Sequence, residues 1–123
     1  MPELKIKRAY EPPASEDGTR ILVDRLWPRG KTKTSLELQS WAKAVAPSNE
    51  LRKTFGHMVG KFDQFVDAYR EELNANPASP AFIDEIKEAL ITGNVTLVYG
   101  AKDEVHNQAQ VLKAWLEQKL KPK

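Results

Sequence analysis

The sequence predicts an α/β fold in which a small, mainly parallel three-stranded sheet is packed with helices. Three observations carry that expectation. Residues 4–10, 20–24 and 95–99 are short apolar runs with strand character, amphipathic stretches of helical length follow the second and third of them, and the order strand, loop, strand, helices, strand, helix suits strands that run the same way. One alternative stays open. The first two runs are joined by a short connection, so an α+β fold that pairs them antiparallel also fits.

Taken in order, residues 4–10 alternate Leu4, Ile6 and Arg8 against Lys5, Lys7 and Ala9, then meet the Glu11-Pro12-Pro13 turn. Residues 15–19 leave space for a loop or one helical turn. A second strand follows at 20–24. Leu36, Leu38, Trp41, Ala42 and Val45 suggest a short helix rather than a strand. Ser48 is placed to cap a helix over 49–55, and Gly56 to stop it. The clearest helix covers 61–74, with Phe62, Phe65, Val66, Tyr69 and Leu73 on one face, and these aromatics are read as core. Ser79 as cap residue and Pro80 at the first position open a helix that Gly93-Asn94 closes, burying Phe82, Ile83, Ile86 and Leu90. Val95-Thr96-Leu97-Val98-Tyr99 reads as a strand covered on both faces. A last helix over 104–120, with Asp103 as its cap, buries Val105, Ala109, Leu112, Trp115 and Leu116.

The chain has 123 residues, of which 41% are hydrophobic, enough for one continuous core, so a single domain over 1–123 is expected. It contains no cysteine, which excludes disulfides, thiolate metal sites and cysteine nucleophiles and suits a reducing compartment. The first residues lack the apolar run of a signal peptide, and no later run is long enough to span a bilayer. A cytoplasmic protein without membrane attachment is the expectation, and neither a metal nor a cofactor is expected.

The net charge of +2 is too small to imply nucleic-acid binding by itself. Its distribution is uneven. Lys5, Lys7, Arg8, Arg20, Arg25, Arg29, Lys31 and Lys33 make the first quarter basic, whereas Asp63, Asp67, Glu71, Glu72, Asp84, Glu85 and Glu88 make the middle acidic. These are either two solvated faces or an anion-attracting pole beside an acidic body.

The candidate site lies where two strands end. The second runs into Asp24-Arg25-Leu26-Trp27-Pro28-Arg29-Gly30, and the third into Tyr99-Gly100-Ala101-Lys102-Asp103 just before a helix whose first turn holds His106 and Asn107. Open parallel sheets bind ligands at such carboxyl ends. Arg25 and Arg29 suit bidentate contact with phosphate or carboxylate, or either arginine neutralises Asp24. Arg8 and Lys102 add charge, and amides near Asn107 add hydrogen bonds. Trp27 either packs in the core or stacks at the site. His106, Asp24 and Tyr99 are the candidates for proton transfer, against the plainer reading of His106 as a surface imidazole. His57, with Arg52 and Lys53 in the helix before it, is either an anion contact or a helix terminus. No serine lies in a hydrolase elbow.

These residues also carry a resemblance. Lys7-Arg8-Ala9-Tyr10, the run from Asp17 to Gly30, Trp41, Lys43, Ala46-Pro47-Ser48, Glu50-Leu51-Arg52, Phe55, His57, Val95 to Tyr99, Lys102-Asp103 and His106-Asn107-Gln108-Ala109 resemble the YeaO-like family, a branch of a bacterial group of domains of unknown function. The likeness covers nearly the whole chain, and Leu26-Trp27-Pro28-Arg29-Gly30 is its most specific block. It implies an α/β fold and no established activity. Members are sometimes labelled transcriptional regulators, but no helix-turn-helix pattern is present here. Broader relatives can carry a cysteine near the position of Tyr99, and its absence speaks against a thiol-phosphatase analogy.

The leading expectation is a domain that binds a small anionic, phosphate-bearing ligand, with enzymatic activity left open. A nucleic-acid-associated regulator using the basic N-terminal third and Trp27, and a protein-interaction module, are the alternatives.

Overall fold

A computed structural model describes residues 2–55 and 59–121. Four strands form one sheet: β1 (Leu4–Arg8), β2 (Thr19–Leu22), β3 (Ser40–Trp41) and β4 (Val95–Tyr99), in the order β1-β4-β2-β3. Every pairing is parallel. The helices are α1 (Lys33–Leu36), α2 (Asn49–Phe55), α3 (Phe62–Ala75), α4 (Ser79–Thr92) and α5 (Gln108–Leu120), with single 3-10 turns at Ser15–Asp17, Lys43–Val45 and Val59–Lys61.

The sheet therefore differs from the three-stranded expectation by one strand, and the antiparallel alternative does not occur. β4 lies between β1 and β2, with Leu4 opposite Val95 on one side and Thr19 opposite Val95 on the other. A short link suffices for this. Returning along a five-residue strand means crossing about 16 Å, and the ten residues between Arg8 and Thr19 reach roughly 33 Å when extended. The unforeseen strand is β3, in the stretch expected to be a short helix. There the chain makes one turn of helix, passes Glu37 at φ 48°, pairs Ile21 with Ser40 and Leu22 with Trp41, and enters a 3-10 turn.

Side-chain alternation divides the core between the faces of the sheet. Val95, Leu97 and Tyr99 of β4, with Ile21 and Val23, join Phe65, Tyr69, Ile86, Leu112 and Trp115 from the long helices. Leu22 and Val98 turn the other way, onto Ala9, Leu36, Trp27 and Leu38. All five residues of β4 are buried, as expected of a strand covered on both faces.

The smaller face also holds a polar cluster. Asp17 is 2% exposed and accepts from Lys7 Nζ at 3.2 Å and Arg20 Nη1 at 2.7 Å, while Arg20 Nε donates to the Leu36 carbonyl. Burial alone would raise the Asp17 carboxyl, but the bonds from the Ala14 amide, Lys7 and Arg20 outweigh it and hold it below the usual range. Two of the basic residues counted in the first quarter are thus used inside the fold.

Two helix starts differ from expectation. Ser79 donates to the Leu73 carbonyl at 2.6 Å instead of capping, and Asn76 Oδ1 receives the Ala78 amide. The last helix begins at Gln108, with Asn107 as its cap through an Oδ1 bond from the Gln110 amide, so Asp103 and His106 precede the helix and Val105 is 63% exposed. Ser48 does cap α2, accepting from the Leu51 amide at 3.1 Å. The expected stop at Gly56 lies outside the described residues.

Gly18 has φ +64°, and a Cβ there would sit 2.0 Å from the Asn94 carbonyl oxygen. The Gly18→Ala variant is expected to lose at least about 2 kcal/mol in urea unfolding, because left-handed strain adds to a clash with backbone that cannot move aside.

Candidate functional site

Because the strands are parallel, the carboxyl ends of β1, β2 and β4 share one edge of the sheet, and a cleft of about 760 Å³ opens there. Its floor is formed at the ends of the two central strands. Asp24 Oδ2 accepts the Gly100 amide at 2.8 Å, and Asp24 Oδ1 accepts the side-chain amide of Gln108 in the first turn of α5. Gly100 suits this approach, since a Cβ would meet Asp24 Oδ2 at 2.9 Å. One wall comes from Tyr10, Leu26, Trp27 and Pro28 beside the smaller core. The other comes from Asn49, Arg52, Lys53 and Phe55 of α2, with Phe65 of α3 behind them. Lys102, Asp103, His106 and Asn107 complete the rim.

Several residues singled out from sequence meet here: Asp24, Arg25, Trp27, Lys102, His106 and Asn107 all line the cleft. Arg25 does not pair with Asp24. Its Nε donates to the Pro47 carbonyl at 2.7 Å and its Nη2 to the Ala46 carbonyl at 3.3 Å, which ties the end of β2 to the entry of α2. Trp27 packs against the smaller core, as one of its two readings expects, and it also lines the cleft. Its indole donates to the Lys31 carbonyl at 2.6 Å and meets Trp41 edge to face at 5.4 Å.

Three others lie outside the lining. Arg8 donates through Nε to the Ala101 carbonyl at 2.9 Å and packs over Tyr10. Arg29 is exposed, and its carbonyl accepts the Tyr10 hydroxyl at 3.1 Å. Tyr99 is 2% exposed within the larger core, where burial and the nearby Glu104 raise its phenol above the usual range. His57 lies outside the described residues. Sequence reasoning gave no site role to Asn49 or Gln108, and it weighed Arg52 and Lys53 only as neighbours of His57. The signal that was present for Gln108 is its place beside His106 and Asn107, just after the third strand's charged end.

The charges of the cleft are unevenly satisfied. Among the described residues, no ion pair involves Arg25, Arg52, Lys53 or Lys102. His106 Nδ1 lies 3.0 Å from Asp103 Oδ2, and Asp103 also accepts the Val105 and His106 amides, which hold its carboxyl below the usual range. Burial pushes Asp24 up from 3.8 to about 6, against the lowering effect of the Gly100 amide, the Arg52 charge and Gln108. No group of three or more potential metal-ligating side chains occurs among the described residues. No helix among them is long and apolar enough to cross a membrane.

A raised carboxyl pKa means that the folded state holds the proton more tightly than the unfolded chain, so Asp24 lowers stability as pH rises from about 4 to about 6. Asp24→Asn keeps an acceptor for Gly100 and cannot ionise. The stability of this variant relative to wild type is expected to increase by about 2–3 kcal/mol between pH 4 and pH 7, measured by urea unfolding at each pH.

The chain is 42% identical over 113 residues to the uncharacterised protein YeaO of Escherichia coli, covering 92% of this chain and 96% of that one. It is 36% identical over 109 residues to the uncharacterised protein Rv3073c of Mycobacterium tuberculosis, covering 89% of each. No solved structure matches it. Its residues 3–123 match the family described as the inactive DUF488-N3 subclade, and on that coverage the chain belongs to this family.

Proposed function

We propose that the cleft binds a small phosphate-bearing ligand. The observation that carries this reading is the gathering of Arg25, Arg52, Lys53 and Lys102 around one concave space at the carboxyl edge of a parallel sheet, without an ion pair to any of them among the described residues. Arg25 brings a guanidinium already fixed by two carbonyls, which lowers the cost of ordering it on a ligand. The description of the family as inactive supports binding without turnover, with His106 and Asp103 as a polar contact on the rim. The basic N-terminal stretch favours this local site over an extended nucleic-acid surface, because Lys7 and Arg20 are spent on Asp17 and Arg8 on Ala101.

Calorimetric titration with phosphate monoesters at low salt tests the proposal. Arg52→Ala is expected to weaken binding about tenfold, the loss of roughly one charge-assisted contact, and Lys102→Glu to weaken it further. Arg29→Ala should leave it unchanged. Equal affinity in wild type, Arg52→Ala and Lys102→Glu would remove the cleft as the binding site.

A further inference from the structure

The cleft is much larger than a lone phosphate requires, and it is not uniformly basic. Its volume of about 760 Å³ lies within the roughly 300–1,000 Å³ typical of pockets that enclose an organic ligand. Trp27, Pro28 and Tyr10, whose ring carries Arg8 and Lys31 over it, give the lining an aromatic part, Arg52 and Lys53 line it from α2, and the Asp24 carboxylate belongs to the same lining. That carboxylate accepts one bond from Gly100 and one from Gln108. A carboxylate has about four acceptor positions, so two remain for donors arriving from the cleft. An acid in this position repels a bare anion and rewards a ligand that pairs its anionic group with hydroxyl donors a short distance away.

We infer that the ligand is a nucleoside monophosphate, with its phosphate held by the cations of α2 and Lys102, its sugar hydroxyls donating to Asp24, and its ring against the Tyr10–Trp27 wall. This rests on the phosphate-site proposal above and adds the class of ligand and a specificity-determining residue. Asp24 discriminates by sign: it favours the hydroxylated ligand and disfavours inorganic phosphate. The aromatic wall contributes stacking that does not depend on which base is present.

The test is calorimetric titration of the full chain at pH 7.5 and low salt with inorganic phosphate, ribose 5-phosphate, adenosine 5′-monophosphate and its 2′,3′-dideoxy analogue. Wild type is expected to bind the nucleotide at least tenfold more tightly than ribose 5-phosphate or the dideoxy analogue. Asp24→Asn should weaken nucleotide binding at least fivefold while strengthening inorganic phosphate binding. If the substitution strengthens both, or the dideoxy analogue binds as well as the nucleotide, the hydroxyl contact is refuted although the phosphate site stands. Equal affinity for ribose 5-phosphate and the nucleotide refutes the ring contact. If no phosphate ligand binds wild type, the phosphate site itself fails and this inference with it. The dideoxy comparison uses wild-type protein, so the conclusion does not depend on the variant folding.

Discussion

The end of the sheet is organised around one carboxylate. Asp24 receives the Gly100 amide on one oxygen and the Gln108 side chain on the other, while its main-chain carbonyl accepts the Trp41 indole at 2.6 Å. One residue thereby links the ends of β2 and β4, the first turn of α5 and the short edge strand. Burying a carboxylate is costly unless fixed donors replace its water, and here two donors offset only part of that cost, which is why its pKa stays raised at about 6. The floor of the cleft and the seam between the central strands are the same set of bonds.

The walls depend on how the two faces of the sheet are filled. The larger core supports α2 from beneath through Leu51 and Phe55, with Phe55 stacked on Phe65 at 4.7 Å. The smaller core has fewer apolar residues, and the chain completes it with the Asp17, Arg20 and Lys7 cluster and with Trp27. Trp27 therefore has a double part: it closes a modest core and at the same time faces the cleft. Arg25 plays a similar part on the opposite side, since its grip on the Ala46 and Pro47 carbonyls sets where the cationic helix begins.

Long periodic elements were legible in the sequence because their burial repeats with the backbone. The α3 face of Phe65, Tyr69 and Leu73 and the uninterrupted β4 run are of this kind. Ser40–Trp41 was not legible, since a strand of two residues has no period and its existence depends on β2 beside it. The start of α5 was misplaced because Asp103 and Asn107 are both good caps, and only Asp103's use on the turn at Val105 and His106 leaves the helix to Asn107. Half of the candidate site could be read as strand ends carrying charge. The α2 half could not, because Asn49 and Arg52 reach the cleft through the docking of a helix on the core rather than through any local pattern.

At the opposite edge, Asn94 gathers the starts of the strands. Its Oδ1 accepts the Glu3 amide, its Nδ2 donates to the Glu16 carbonyl, and its own carbonyl accepts the Thr19 amide. The starts of β1, β4 and β2 are thus pinned together at the end remote from the cleft, as Asp24 ties β2 to β4 at the near end. The molecule resembles a fan held at its rivet: the strand starts are pinned together at one end, and the connections that line the cleft leave from the other, where surface loops tolerate changes of length and composition without rebuilding the frame.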